Sequence, residues 1–542
     1  MSTYKNINRI FCFALVIFAF GFGGCVNDLD TTPIDPNISD KDNTYKDLYD
    51  YEQGLAKLYA GFAVSGQQGP AGNPDLGGLD EGASQYLRKY WEFQELPTDE
   101  ALNGWADPGQ PALSEITWNP SNELVRILYY RVTFQVTLCN QFIRDLSEAS
   151  LSSEEDMARI RQMKAEARFV RALAYWHGLD LFGNGIPFTT EETLVGSTPP
   201  SPPASGFGGT EIFDYIESEL MDITSNDSDE QLKAENTAFV GQADKAAAHM
   251  LLSKLYLNAE VYIGQSKWAE AKTSLDKVVA AGYRLEDRYE YNFLADNYLS
   301  REIIFPIAFD GVNTQTYGGM TYLINAAVGG DMSAKEYGTS GGWGGNRSTI
   351  ELVKKFEDQF ENQVDPRGIF FKEHNRENTT LPEFKDGYAV GKYKNVTSLG
   401  YPGSDPNLSF MDTNFPMFRL ADAYLMLAEV EFRMGGSISD WSRIESLWDR
   451  AGVPQNIQSQ YKAAASVDPA QFLLDERARE LYWEGHRRTD LVRFGKFVKD
   501  YNWPFKGGSP TGNASIAERY NVLPIPGTEL VANPNLKQNP MW

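Results

Sequence analysis

The chain has 542 residues, of which 42% are hydrophobic and 13% aromatic, and its formal net charge at pH 7 is −25. This length accommodates several ordinary domains or one large domain with a substantial core. The negative charge argues against a nucleic-acid partner, because phosphate binding requires clustered Lys and Arg. The three cysteines are too few for a disulfide framework, and Cys139 lies in an apolar helical stretch that predicts a buried free thiol.

The first 24 residues have the features of a secretion signal. A basic start precedes the apolar run Ile10–Phe20, which is too short to span a bilayer. The sequence Phe-Gly-Gly-Cys that ends at Cys25 resembles a bacterial lipobox, in which the cysteine is acylated. The alternative is an ordinary signal peptide with an incidental cysteine. We predict a lipoprotein signal peptide over residues 1–24, lipidation at Cys25 and a Pro-, Asn- and Asp-rich tether over residues 25–44.

The stretch between Glu155 and Pro187 has the clearest helical pattern. Apolar residues recur there at the spacing of one helix face. Gly183 suits a C-cap and Pro187 forbids continuation, so we predict a long helix that ends at residue 182.

Other segments also have helical or strand patterns. We predict a helix that ends at Leu146 and is capped by Asn119 or Ser121. The strand predicted at Ile303–Phe309 is short and buried. The remaining predicted helices are 45–62, 210–222, 244–262, 268–281, 419–434 and 472–497.

Two turn-rich segments, residues 66–118 and 300–410, carry aromatic side chains between Gly, Pro and Asn residues. A sugar ring has an apolar face of C–H groups and an edge of hydroxyls, so an aromatic ring beside amides and carboxylates suits it. Trp105 lies beside Asn103 and Asp107, and Trp343 lies near Asn346. For Trp91 and Trp118 we predict core positions instead.

Motifs that indicate an enzyme are scarce. The four histidines, at 177, 249, 374 and 486, include no pair at metal-ligand spacing on one helix. There is no Gly-x-Ser-x-Gly elbow, and the Gly-rich run 338–345 lacks the Lys-Ser/Thr of a phosphate loop. A pair of glycosidase carboxylates is not excluded by sequence, but most helical Glu residues have Arg neighbours. We therefore expect a binding protein rather than an enzyme, with no metal and no cofactor.

Three motifs together resemble the SusD/RagB family of nutrient-binding outer-membrane lipoproteins of Bacteroidetes. The first is Arg-Phe-Val-Arg-Ala-Leu-Ala-Tyr from Arg168, followed by Leu-Phe-Gly-Asn-Gly-Ile-Pro. The second is the run of Glu, Arg and Gly between Glu476 and Gly495, and the third is Asn-Pro-Asn-Leu-x-Gln-Asn-Pro from Asn533. Acidic residues directly after Cys25 also resemble the surface-export signal of such lipoproteins.

The resemblance implies a mainly α fold. It is a TPR-like, SusD-like scaffold of helix pairs with long loop-rich insertions that contain a few short β-strands. We expect a single domain over residues 45–542. Its scaffold would be 45–65, 119–299 and 411–500, its binding lobe 66–118 and 300–410, and its C-terminal segment 501–542.

The resemblance also implies that the protein is lipid-anchored in the cell outer membrane and exposed at the cell surface. It further implies that a SusC-like TonB-dependent transporter is its partner. Ligand contacts in the family come from the two insertions. Together with the polar neighbours named above, the candidate glycan-binding residues are Arg88, Asn103, Trp105, Asp107, Tyr317, Tyr337, Trp343 and Asn346.

Three functions remain open at this point. The first is capture of a polysaccharide or oligosaccharide for the transporter, the second is RagB-like peptide binding on the same scaffold, and the third is a hydrolase or scaffold role unrelated to uptake. The aromatic loops favour the first.

Overall fold

The computed structural model describes residues 44–70, 72–199 and 210–542. The predicted signal peptide, Cys25 and the tether up to residue 43 lie outside the described residues, as do residues 200–209 of a Pro-rich loop. The chain divides into two compact units, residues 1–51 and 52–542. In the first unit, the rings of Tyr45 and Tyr51 stack with their centroids 4.6 Å apart. One domain over residues 45–542 therefore stays a prediction.

Helices form most of the regular structure, as the sequence predicts. Among the described residues, no helix is both long and apolar enough to cross a bilayer. The α-helices are α1 Leu48–Ala63, α2 Tyr86–Glu95, α3 Pro111–Glu115, α4 Glu123–Ser147, α5 Glu154–Phe182, α6 Glu211–Thr224, α7 Lys245–Leu257, α8 Ala259–Ile263, α9 Trp268–Ala280, α10 Gly319–Ala327, α11 Ile350–Lys354, α12 Leu420–Gly435, α13 Ser442–Ala451, α14 Gln455–Val467, α15 Pro469–Leu481, α16 Arg487–Arg493 and α17 Gly527–Ala532.

The scaffold is a continuous stack of helices. In order of contact, α4 packs on α5, α5 on α6, α6 on α7, α7 on α9, α9 on α12, α12 on α15 and α15 on α14. Cys139 is a buried free thiol on α4, and Trp91 and Trp118 are also buried, so all three predictions are confirmed. The predicted mainly α scaffold of helix pairs with short strands is likewise confirmed.

The ends of the central helices follow local capping rules. At α5, the Ser153 side chain accepts a hydrogen bond from the backbone N–H of Asp156, and Gly183 caps the C-terminus with φ 59°. The predicted end of this helix is confirmed. The predicted cap of α4 is wrong: Asn122, and not Asn119 or Ser121, accepts from the N–H groups of Leu124 and Val125.

Three antiparallel strand pairs join segments that are distant in sequence. Their bounds are β1 Ala101–Asn103 with β3 Asn346–Ser348, β2 Ile303–Ile307 with β6 Phe415–Arg419, and β4 Phe370–Phe371 with β5 Ala389–Val390. The strand predicted near residue 303 is confirmed as β2. Its partner β6 leads directly into α12, so this pair ties the 300–410 insertion to the scaffold.

The predicted helix over residues 472–497 is wrong, because the chain breaks between α15 and α16. Trp483 has φ 64° there and Gly485 has φ 76°. Side chains from distant segments take the backbone carbonyl groups that the break releases: Lys392 donates to Tyr482 O, Trp91 to Trp483 O and Tyr90 to Gly485 O. These partners compensate for the lost helical hydrogen bonds. Similarly, the predicted helix 244–262 is interrupted at Asn258.

Buried charges surround this break. We call Glu302, Lys392, Arg419, Arg450, Glu480 and Glu484 the ionic cluster. Arg419 donates to Glu302 and Glu480 through Nη1 and to Glu484 through Nε, at 2.6–2.8 Å. Each of these side chains is at most 4% exposed. Glu480 and Glu484 belong to the C-terminal motif of the sequence, which therefore builds the core.

Candidate functional site

The two turn-rich segments meet through β1 and β3. Ala101 pairs with Ser348 and Asn103 with Asn346, and the N–H of Gly104 continues the pairing by donating to Gly345 O at 3.0 Å. The pairing brings the residues that follow β1 beside those that precede β3. Trp105 and Trp343 are therefore neighbours, although they are distant in sequence.

The two tryptophan rings form a bent aromatic surface. Their centroids are 6.4 Å apart and their planes meet at 42°. Trp343 is 38% exposed and Trp105 is half-buried. Beneath them, the buried ring of Tyr322 on α10 meets Trp105 edge to face at 5.7 Å. We call Arg88, Trp105, Tyr322 and Trp343 the aromatic platform.

The loop that carries Trp343 is held by the C-terminal end of α10. The N–H of Trp343 donates to Asn325 O at 2.7 Å, that of Gly344 to Val328 O at 2.9 Å, and that of Gly345 to Ala326 O at 2.8 Å. Carbonyl groups at a helix end lack intrahelical partners, so this loop acts as the cap of α10. The tryptophan is thus placed by backbone hydrogen bonds.

Two glycines allow this close approach. A Cβ at position 342 would lie 2.1 Å from Val328 O, and one at position 345 would lie 2.5 Å from the Trp105 ring. Both contacts are too short for any side chain. The Gly-rich character of this loop is therefore required by the packing of the platform.

Arg88 on α2 supplies hydrogen-bond donors at the platform. Its Nε donates to Glu92 at 2.9 Å, and its guanidinium lies 4.1 Å from the Tyr322 ring centroid and 5.6 Å from that of Trp105. Among the described residues, nothing accepts a hydrogen bond from its Nη1 or Nη2. Burial acts to lower the pKa of Arg88, but the Glu92 carboxylate outweighs it and the pKa lies above its ordinary value. The charge is thus retained at all physiological pH values.

Tyr317 extends the exposed aromatic surface. It is 46% exposed, packs on Phe410 with centroids 5.5 Å apart, and its N–H donates to Glu81 at 3.0 Å. Tyr317 precedes α10 and Trp343 contacts its other end, and a nine-residue helix spans about 13 Å. Asp107 is exposed in the turn after Trp105.

Three predicted ligand residues are buried. We therefore expect them to hold the neighbouring chain in place instead of contacting a ligand directly. Asn103 and Asn346 face each other in the β1–β3 ladder and their amides hydrogen-bond at 2.7 Å. Asn103 Oδ1 also accepts from the N–H of Trp105 at 2.8 Å, which orients that residue. Tyr337, 7% exposed, packs with Val328 and neighbouring apolar residues in a separate small core.

Sequence reasoning missed Tyr322 and the helix that carries it. Tyr322 Oη donates to Asn346 at 3.1 Å, and burial, followed by the Glu92 charge, raises its pKa well above the ordinary value. The sequence of α10 gave a usable signal, since Gly318 precedes it and its nine residues are apolar or small except Thr321, Tyr322 and Asn325. No local pattern, however, indicates which of its faces lies under Trp105.

The helical stack and the lobe built from two insertions define a class: a TPR-like scaffold that presents an aromatic surface. A family model described as the SusD family matches residues 362–542. The chain is 35% identical to the starch-binding protein SusD of Bacteroides thetaiotaomicron, and the alignment covers 99% of each chain. A SusD-like protein, P25, of Formosa agariphila is 26% identical, covering 69% of this chain and 71% of the relative. The chain belongs to the SusD family.

Solved structures show the same fold at low sequence identity. A SusD superfamily protein from Bacteroides thetaiotaomicron superposes with a TM-score of 0.67 at 18% identity, covering 91% of this chain and all of that one. Surface glycan-binding protein A from the same organism, in complex with laminarihexaose, gives a TM-score of 0.66 at 17% identity, covering 90% and 98%. Both comparisons support the architecture described above.

Proposed function

We propose that this protein is a cell-surface glycan-binding lipoprotein that captures glucan chains on the aromatic platform and passes them to a TonB-dependent transporter. The observation that carries the proposal is the juxtaposition of Trp105 and Trp343 beside the free guanidinium donors of Arg88. Aromatic faces match the C–H face of a sugar ring, and charged donors match its hydroxyls.

The relatives support a glucan as the ligand. One relative with 35% identity over the whole chain is named for starch binding, and one structural neighbour is a complex with laminarihexaose. Family membership also supports binding rather than catalysis. The exposed aromatic pair favours a saccharide over the peptide ligand of the RagB-like alternative.

The central experiment is calorimetric titration of the full chain with maltoheptaose and with laminarihexaose. We expect Trp343→Ala to weaken binding at least about tenfold, which is about 1.4 kcal/mol. The melting temperature should stay unchanged, because Trp343 is partly exposed. Phe360→Ala is the matched control, since that ring is 73% exposed on the same insertion and lies off the platform.

Two results would count against the platform. One is unchanged affinity in both Trp343→Ala and Trp105→Ala. The other is a lowered melting temperature that accompanies the weaker binding, which would assign these tryptophans to the core. Binding of unstructured peptides with no binding of either glucan would favour the RagB-like alternative.

The proposed location rests on the predicted lipidation of Cys25. We expect Cys25→Ala to release the protein from the membrane or leave it unprocessed, as measured by fractionation and surface labelling. A variant that remains anchored and labelled like wild type would show that the anchor lies elsewhere.

The proposed partner is a SusC-like TonB-dependent transporter. Gentle detergent extraction should recover both proteins together. Repeated recovery of the free lipoprotein alone would count against a stable complex.

A further inference from the structure

A cavity lies away from the platform, where the insertion that carries Trp343 meets the scaffold. Its volume is about 680 Å³, within the range of small-molecule sites, which is about 300–1,000 Å³. Its walls are formed by parts of residues 288–294, 391–400 and 449–452, together with Pro366 and Ile369. None of these segments contributes to the aromatic platform.

The walls of this cavity are joined to each other. The N–H of Lys394 donates to Phe293 O at 3.0 Å, and that of Ala295 donates to Val396 O at 2.9 Å. At the rim, Ser398 donates through its N–H and its hydroxyl to Asp296 at 2.6–3.0 Å. The cavity is therefore preformed, and a ligand would not have to order a loop to enter it.

Donors without protein partners line the cavity. Among the described residues, the Lys394 ammonium has no carboxylate partner, and it lies 4.9 Å from the Tyr337 ring centroid. Arg450 is 4% exposed and pairs with Glu302 and Glu480 through its Nη atoms, but its buried Nε has no acceptor. A ligand oxygen can reach the Lys394 ammonium without displacing a protein partner, whereas the Arg450 Nε is enclosed by protein atoms.

The remaining lining groups are suited to a sugar ring. The half-buried ring of Tyr291 and the apolar side chains of Leu294 and Ile369 offer a face for C–H groups. Glu290, which pairs with Arg288, and the exposed Asp449 offer acceptors for hydroxyl hydrogens. An aromatic and apolar face with donors and acceptors around it is the combination that a saccharide requires.

The charge of the cavity argues against a polyanion. Of its cationic side chains, Arg450 and Lys392 are neutralised by carboxylates of the ionic cluster, and Arg288 is neutralised by Glu290. Only Lys394 is left to oppose Asp449. A ligand with several negative charges would therefore lose its solvation without gaining matching cations.

We propose that this cavity is a second saccharide site, which takes one or two sugar rings of a chain held on the aromatic platform. The inference rests on the proposed function. The small core containing Tyr337 and Phe384 connects the two sites, since Lys394 lies over Tyr337 while Phe384 lies against the glycine backbone beside Trp343. Two sites on one protein increase the affinity for long chains more than that for short ones.

Calorimetric titration with maltoheptaose and with amylopectin tests the inference. We expect Lys394→Met to weaken amylopectin binding by about tenfold and maltoheptaose binding on the platform much less. In the Trp343→Ala background, Lys394→Met should abolish the residual maltoheptaose binding. Asp449→Asn, an isosteric change at the opposite wall, should act in the same direction.

Lys385→Met is the matched control, because Lys385 is an exposed lysine of the same insertion that pairs with Asp331 at 2.6 Å. The inference is overturned if Lys394→Met and Asp449→Asn both bind amylopectin like the control while Trp343→Ala weakens it; the proposed function then still stands. If wild type binds neither glucan, the proposed glucan function fails first. If the cavity variants lose glucan binding while Trp343→Ala binds like wild type, the cavity is supported as a saccharide site and the platform is not.

Discussion

Arg88 at the aromatic platform and Arg419 in the ionic cluster use the same side chain in opposite ways. Arg419 is 1% exposed, and all three of its nitrogens donate to Glu302, Glu480 or Glu484. Arg88 is 11% exposed, its Nε pairs with Glu92, and its Nη atoms have no acceptor among the described residues. A saturated guanidinium serves the fold, whereas one with free donors beside exposed rings can serve a ligand.

The same contrast applies to the motifs of the sequence. The C-terminal motif that resembles the family most closely supplies buried charges around the break between α15 and α16. The platform comes from two helices, which carry Arg88 and Tyr322, and from two turn-rich loops, which carry Trp105 and Trp343. The motif therefore identified the scaffold. The sequence also predicted Arg88, Trp105 and Trp343 as candidate ligand residues, and the structure added Tyr322 and showed which side chains are exposed.

The largest expected effect is on the ionic cluster. Arg419→Met would leave three carboxylates buried around an apolar side chain, so we expect the free energy of unfolding to fall by about 3–5 kcal/mol. Urea unfolding measures this. The control is Arg301→Met, since Arg301 pairs with Asp287 at the surface and both side chains are largely exposed. Equal stability of the two variants would contradict the structural role of the cluster.

A smaller effect concerns the pH dependence of folding stability, which we assign to two buried carboxyl groups near the helix break. Glu95 Oε1 accepts from the N–H groups of Gly485 and His486, and its buried Oε2 has no donor. Burial and the neighbouring Glu100 raise the pKa of Glu95 well above its ordinary value. Burial raises the pKa of Glu100 to about 7, although Arg487 opposes this. The pair therefore holds a proton near neutral pH.

The raised pKa values determine how the free energy of unfolding changes with pH. The folded protein binds more protons than the unfolded chain between about pH 4.5 and 7, so the pair stabilises most below that range and its contribution is lost as pH rises through 7. Glu100→Gln supplies a permanent donor, so its stability relative to wild type should rise by about 1–3 kcal/mol between pH 5 and pH 8.

Urea unfolding at each pH measures this difference. The buried histidines, with lowered pKa values, contribute an opposite slope to both proteins and cancel in the comparison. The exposed change Glu518→Gln should leave the slope as in wild type. A parallel pH profile for Glu100→Gln would refute the shared proton.

The smallest effect concerns the geometry of the platform. In Gly345→Ala the new methyl group would meet the Trp105 ring, so we expect glucan affinity to fall by about tenfold, or about 1.4 kcal/mol. Gly341→Ala is the matched control in the same loop, because a Cβ at that position meets no atom within 4 Å. Titration with maltoheptaose compares them. Equal affinities would mean that the position of Trp105 does not matter for binding.

Local sequence patterns determined the helices of the scaffold. Helical spacing of apolar residues, Ser153 before α5 and Gly183 after it are signals within a few residues of each other, and hydrogen bonds within a helix are local as well. The short strand β2 and the buried Cys139 were predictable for the same reason. Composition and the lipobox-like Cys25 led in addition to the expectation of a secreted lipoprotein.

Long-range contacts decided the break after α15 and the composition of the platform. The sequence pattern predicts one helix through residue 497, but Lys392, Trp91, Tyr90 and Tyr393, from elsewhere in the chain, stabilise the break by donating to its carbonyl groups. Likewise, β1 and β3 are three residues each, too short for a pattern, and their pairing decides that Asn103 and Asn346 are buried while Trp343 faces solvent. The free energy of such pairing comes from partners about 245 residues away, which no local signal contains.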